Sequence, residues 1–377
     1  HGEPIRVWHL LSHTSGIPAL GYSESKMSDE WFMSGIPIAT ETDLLAFLQG
    51  ADAWAVSPPG ARWLYLNEGY LLLGRLIAQR TGQSYTSYVE QHILTPLQME
   101  RTHFARTRFE PDEDAATPYM RDRDGKFFVG ASLYSEMPAA GGLVSCADDM
   151  AQLVVALLND GQFPDGTQLI SSEALQQMRT PRVFLPQTDT SITLGPFHDE
   201  ADQPESDAPV HEGHFGCGLQ VLRNFYGNDL VGHGGGIMGG TSYLALMPER
   251  GVGTVLLANA HGYPMAHFAM VALARMLGES PQHLPFLRIE HVLARLAGSY
   301  TSFRNTIRAE VTPLGDLLRF TIHYHHEDRS SILIPLHLSE DRARFQTFSN
   351  GRNMVVDFRL DDESISLVFE RYKFRKQ

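Results

Sequence analysis

Residue types suited to moving a proton and gripping a carbonyl recur at two places in this 377-residue chain. Tyr65-Leu66-Asn67 stands just ahead of a helical stretch, and Gly232-His233-Gly234-Gly235-Gly236 lies among strand-like segments. A phenol with an ordinary pKa of about 10 is a poor base at neutral pH, so Tyr65 needs a nearby positive charge to depress it. Gly234, Gly235 and Gly236 fit an edge strand that a substrate backbone approaches closely, where a β-carbon would obstruct. A backbone N–H there, that of Gly236 first, could supply half of an oxyanion hole. His233 is a weaker anchor for a carboxylate near neutral pH than a permanent ammonium. The chemistry these groups suit is acyl transfer.

Three further segments stand in a fixed order with these two: His9-Leu10-Leu11-Ser12-His13-Thr14-Ser15-Gly16, Pro138-Ala139-Ala140-Gly141-Gly142-Leu143-Val144-Ser145, and Leu257-Ala258-Asn259. Together, over about residues 4–277, they resemble the serine β-lactamase and penicillin-binding-protein superfamily, in its class C-like branch of esterases and D-aminopeptidases. The resemblance implies that Tyr65 is a general base or proton relay and that Asn67 holds the substrate carbonyl or amide. It also implies that His233 with Gly234, Gly235 and Gly236 forms a third motif and that the Gly141-Gly142-Leu143 stretch, with Gly142 toward the substrate, walls the pocket. His9, His13, Thr14 and Ser15 are expected to buttress the floor.

Where most penicillin-binding members have lysine, this chain has His233. That shifts the expected substrate from a β-lactam to a small peptide, with a D-residue or of cell-wall type, or to an ester. The Ser-x-x-Lys motif of the superfamily lies upstream of the His-Thr-Ser-Gly segment. A match at Ser23-Glu24-Ser25-Lys26 comes after it, with no long apolar helix to follow, and is read as a decoy. His1 is not a translation start. The expectation is an N-terminally truncated or processed chain whose nucleophile sits on a missing segment that is present in the native particle, either cleaved but still bound or simply outside this sequence. The alternative is a non-catalytic binding or assembly protein that keeps the fold.

The elements that must position these groups are helices, then antiparallel strands and a closing helix, the layout of an α+β domain over residues 1–285. Helices are expected at about 69–80, 85–93, 147–159, 173–178 and 265–277, and one around 44–48 capped by Thr42 or Asp43. From about 289 to 377, short β-rich stretches alternate with turn signals such as Asn350-Gly351, which predicts a small antiparallel β-barrel. The barrel resembles the lipocalin-like domain appended to some relatives, which implies packing on the catalytic unit or a homo-oligomer built through it. An acidic stretch, Asp199–Glu212, is expected to act as a lid.

Composition narrows the partners. Apolar residues make up 43% and charged residues 20%, as in a globular protein. Thirty basic against forty-four acidic side chains, a net charge of −14, disfavour a nucleic-acid partner. No apolar run is long enough to span a bilayer. Cys146 and Cys217 fit two buried thiols or one disulfide. The histidines at 211 and 214, and those at 323, 325 and 326, lack metal-type spacing and are read as exposed side chains. No metal or organic cofactor is expected, and the cellular compartment is left open.

Overall fold

A computed structural model of the chain describes residues 2–22, 41–104, 112–122, 124–130, 137–163, 165–185, 213–237, 239–339, 341–349, 351–361 and 364–377. The Ser23-Glu24-Ser25-Lys26 match and the acidic stretch Asp199–Glu212 lie outside these residues. The chain divides into two compact units, one ending at Glu279 and one running from Ser280 to Gln377.

Among the described residues of the first unit, the helices are α1 (Val7–Leu11), α2 (Glu41–Phe47), α3 (Asn67–Thr81), α4 (Tyr85–Val89), α5 (Ala147–Leu158), α6 (Ser172–Arg179) and α7 (Met265–Met276). Their limits follow local chemistry. Gly82 closes α3 in the left-handed conformation (φ 71°), its N–H reaching the Ala78 carbonyl at 2.9 Å. Asp148 and Asp149 sit in the first turn of α5, where negative charge suits the helix dipole. The Ser171 hydroxyl accepts from the Ala174 N–H and caps α6. α2 starts earlier than expected, so Thr42 and Asp43 lie inside it rather than capping it. Beyond α4 the chain makes a π turn, Glu90–Leu94.

Strands β1 (Tyr119–Arg121) and β2 (Phe127–Val129) form a small hairpin. Six more make one antiparallel sheet in sequential order: β3 (Val183–Phe184), β4 (Gly213–Phe215), β5 (Gln220–Phe225), β6 (Asn228–Ile237), β7 (Gly240–Met247) and β8 (Val252–Ala258). Leu244 and Leu246 of β7 pack in one cluster with Val154 and Leu157 of α5. By the two-residue period of a strand, Ala245 and Met247 face the other side of the sheet. α7 also packs on β7 and β8, and it buries Ala269, Met270 and Leu273 completely. This is the expected antiparallel sheet flanked by helices.

The second unit opens with α8 (Pro285–Leu296), followed by eight antiparallel strands: β9 (Gly298–Thr301), β10 (Arg308–Leu314), β11 (Leu317–His323), β12 (Asp328–Leu338), β13 (Arg342–Ser349), β14 (Arg352–Asp361), β15 (Ser364–Phe369) and β16 (Tyr372–Lys376). Pairing of β16 with β9 closes the barrel. Its interior is packed with Phe320, Phe345, Phe358, Phe374, Leu318 and Leu333, so the lumen is a core rather than a ligand cavity. The amphipathic α8, which the strand-rich pattern beyond residue 289 did not suggest, adds Val292, Leu293 and Leu296 to this core. The Tyr300 hydroxyl donates to the Leu296 carbonyl at 2.7 Å and ties the helix end to the first strand.

Candidate active site

The segment from His9 to Gly16 forms a floor. Its backbone is laced to residues 56–64: the Val56 N–H donates to the Gly16 carbonyl at 2.9 Å, that of Gly60 to Thr14 at 2.7 Å and that of Leu64 to His13 at 2.8 Å. The Tyr70 hydroxyl, from the first turn of α3, donates to the Leu11 carbonyl at 2.8 Å and pins α1. His9, Ser12, His13, Thr14 and Ser15 are all buried.

Within this floor His13 sets the conformation of the Tyr65-Leu66-Asn67 turn. Its Nδ1 accepts the Leu66 N–H at 3.0 Å, so that nitrogen carries no proton and Nε2 does. Its ring lies between those of Tyr65, at 4.1 Å between centroids, and Tyr70, at 4.9 Å. Burial, with a smaller contribution from His233, pulls its pKa down to about 3. Unfolded, it titrates at about 6.5, so between these values the unfolded state holds the extra proton. Stability is therefore complete above about pH 6.5 and falls as the pH drops toward 3, by up to about 1.4 kcal/mol per pH unit from this one group. His13→Asn keeps a side chain that tolerates the positive φ of 54° at this position. Denaturant unfolding at a series of pH values should show a shallower acid limb for this variant, whatever its stability at neutral pH.

Tyr65 and Asn67 face one large cavity of about 1450 Å³, also bordered by His13, His233, Gly234, Gly235 and Gly236. Asn67 is the first residue of α3, and the Tyr65 ring is 40% exposed along the wall. Among the described residues no hydrogen bond engages the Tyr65 hydroxyl or the Asn67 carboxamide, so both are open to a ligand. The surrounding protein desolvates the phenol enough to raise its pKa, and among the described residues no cation counters this. Arg101, which sequence reasoning did not single out, also borders the cavity. It is held by Asp112 at 2.7 Å and Asp114 at 2.5 Å, and its charge is spent on those carboxylates.

The glycine motif occupies the end of β6, and here one expectation needs correcting. β6 is an interior strand: its residues 228–232 pair with β5 on one side, and its residues 231–237 pair with β7 on the other. β6 overshoots β5, so among the described residues the edge of β6 is open only at 233–237. In an antiparallel ladder every second amide along that stretch faces away from β7 into the opened space. The glycines also have different causes. A β-carbon on Gly235 would strike the Ser242 hydroxyl, and one on Gly234 would come within 3.3 Å of the Tyr243 ring. On Gly236 it would meet nothing nearer than His261, at 3.8 Å, so that position alone keeps free space above the backbone.

His233 contacts the Gly234 carbonyl through Nδ1 at 2.7 Å. A carbonyl oxygen only accepts, so Nδ1 carries the proton and Nε2 presents a lone pair. Burial lowers the His233 pKa, which keeps the ring neutral. Its ring centroid lies 6.3 Å from that of Tyr65.

Other expected residues fall elsewhere. Gly142 is buried behind the wall, where a β-carbon would press on the Pro138 backbone at 2.8 Å, and the wall itself is made by Gly141 and Leu143. Cys146 is half-buried, Cys217 is buried, and both thiols are free. His214 lies on β4 and stacks edge-on with Phe184, while His211 is outside the described residues. His323 contacts Asp328 at 2.9 Å on the outer barrel surface, beside His325 and His326. Among the described residues no helix is long and apolar enough to cross a membrane.

Comparison with known proteins places this geometry. The beta-lactamase family model matches residues 1–275, and the model described as the Pab87 octamerisation domain matches residues 281–375. The octameric penicillin-binding protein homologue from Pyrococcus abyssi superposes with a TM-score of 0.82 at 34% identity, covering 100% of this chain and 79% of that one. A D-stereospecific amidohydrolase from Streptomyces sp. superposes with a TM-score of 0.53 at 26% identity, covering 74% of each chain. Protein flp of Staphylococcus aureus is 26% identical over 266 residues, which are 68% of this chain and 43% of flp. The chain spans about half the length of the curated relatives it matches first, 43% to 48%.

Proposed function

Because this chain belongs to the beta-lactamase family, we propose that it is the larger part of a serine hydrolase that works through an acyl-enzyme on small peptides or esters. The observation that carries the reading is the convergence on one cavity of three unengaged polar features: the Tyr65 hydroxyl, the Asn67 carboxamide and the open edge of β6 at Gly236. In this reading Tyr65 relays the proton, Asn67 holds the substrate carbonyl or amide, and the Gly236 N–H contributes to the oxyanion hole.

The nucleophilic serine and its lysine come from a segment that precedes the His9–Gly16 floor. Ser145 and Ser242 border the cavity, but no lysine accompanies them there among the described residues. Ser145 is moreover engaged with the Thr102 hydroxyl at 2.7 Å. The cavity exceeds the roughly 300–1,000 Å³ that a small-molecule site needs. Its inner wall of Leu153, Leu157, Leu169, Ile170 and Val255 suits a buried apolar helix better than a polar substrate. The lysine of such a segment would also supply the charge that Tyr65 lacks.

The neutral His233, with an acceptor nitrogen in place of an ammonium, disfavours a substrate carboxylate and supports amides, D-residue peptides or esters. The amidohydrolase among the solved relatives supports the same class. The barrel carries self-association, a reading supported by the octamerisation model over residues 281–375 and by the octameric homologue.

The test is covalent labelling of the full-length protein with a fluorophosphonate, followed by peptide mapping. A single adduct on a serine upstream of His9, three residues before a lysine, is expected. Folded full-length protein that takes no label would overturn the hydrolase reading and leave a non-catalytic binding protein.

A further inference from the structure

The filled barrel has no lumen to offer, so what it presents to partners is its outer surface, and that surface is not uniform. Outward positions of most strands carry charge, as with Arg308 and Glu310 on β10 or Asp357, Arg359 and Asp361 on β14. Across β12, β13 and β14 the pattern changes. Ile334 pairs with Gln346, which pairs with Val355; two residues along their strands stand Ile332, paired with Arg319, and Phe348, paired with Asn353. Ile332 is 38% exposed, Ile334 39%, Val355 45% and Phe348 70%. Leu314, at 42%, extends the apolar surface from β10 through its pair with Leu317. The polar members of the two rows, Gln346 and Asn353, are uncharged, whereas scattered single apolar residues would be unremarked.

We propose that this face, centred on Ile332, Ile334, Phe348 and Val355, is where one copy of the chain packs on another. The proposal rests on the self-association reading above and names its surface. Three observations favour a second copy over other occupants. The model described as an octamerisation domain spans residues 281–375 and so includes every residue of the face. The rim carries both signs, with Arg319 beside Ile332 and the Arg342–Asp357 ion pair at 2.8 Å next to the Val355 row. Such a rim suits a protein surface, and residues 281–377 carry fourteen basic against twelve acidic side chains, too near balance to draw a polyanion such as nucleic acid or an anionic lipid surface.

Sedimentation velocity on the full-length protein decides it. Wild type should sediment as an assembly, and Ile334→Glu and Phe348→Glu should each shift it to smaller species at the same protein concentration. Phe303→Glu, 78% exposed on the turn after β9, should leave the assembly intact. Thermal midpoints within a few degrees of wild type establish that the variants fold. Folded variants that keep the wild-type mass would overturn the face and leave self-association standing. A monomeric wild type would overturn both. Flotation of wild type, but not of the two variants, with vesicles of phosphatidylcholine and phosphatidylglycerol would reassign the face to a membrane.

Discussion

Replacing Tyr65 by phenylalanine should lower kcat/KM of the full-length enzyme at least 100-fold while leaving its thermal midpoint within a few degrees of wild type. The size follows from the role: a positioned proton-transfer group contributes roughly 10²- to 10⁴-fold. The intact fold follows from the geometry, because the hydroxyl is unengaged while the ring packs on His13 at 4.1 Å, and phenylalanine keeps the ring. The desolvated phenol has a raised pKa, so its phenolate is populated near neutral pH only when a cation approaches. The pH–rate profile should therefore have an acid limb set by this coupled pair, and Tyr65→Phe should remove it. Steady-state kinetics on a chromogenic D-amino-acid anilide from pH 5 to 10 provides both readings. A variant with wild-type turnover would exclude Tyr65 as the relay.

How much of this was legible beforehand depends on where the information sits. Tyr65, Asn67 and His233 were grouped from their types and order in the sequence, and all three border one cavity. The hairpins of the barrel were legible from alternation and turn residues. α8 was missed although Ile289, Val292, Leu293 and Leu296 recur at helical spacing, because the strand-rich stretch that follows drew the change of texture to residue 289; burial of these residues against Phe320 and its neighbours assigns their face. The end of β6 was hidden for a related reason. A run of glycines has no pattern of its own, and Gly234–Gly236 become strand by pairing with Tyr243, Ser242 and Thr241. Gly142 was misplaced because adjacent glycines look alike in sequence, yet Gly141 borders the cavity and Gly142 is pressed on Pro138. The tautomers of His13 and His233 are set by single hydrogen bonds to distant or adjacent backbone, which no spacing rule reports.

The His233 tautomer makes the second large prediction, a change of specificity on His233→Lys. In the wild type, Nδ1–H is committed to the Gly234 carbonyl and the neutral ring offers Nε2 as an acceptor. A substrate carboxylate placed there meets a lone pair and gains no charge-assisted bond. An ammonium in its place would donate to that carboxylate, and a hydrogen bond to a charged group is worth about 1.5–3 kcal/mol. At about 1.4 kcal/mol per decade, the ratio of kcat/KM for a free-acid peptide to that for its amide should rise roughly 10- to 150-fold. The same ammonium would lie near Tyr65, whose ring centroid is 6.3 Å from that of His233, and would lower the phenol pKa. The acid limb of the rate profile should move to lower pH in parallel with the gain in carboxylate preference. These two shifts have one cause, so a variant that showed the pH shift without the change of preference would place the substrate carboxylate away from residue 233. An unchanged ratio and an unchanged profile together would remove His233 from the specificity of the site.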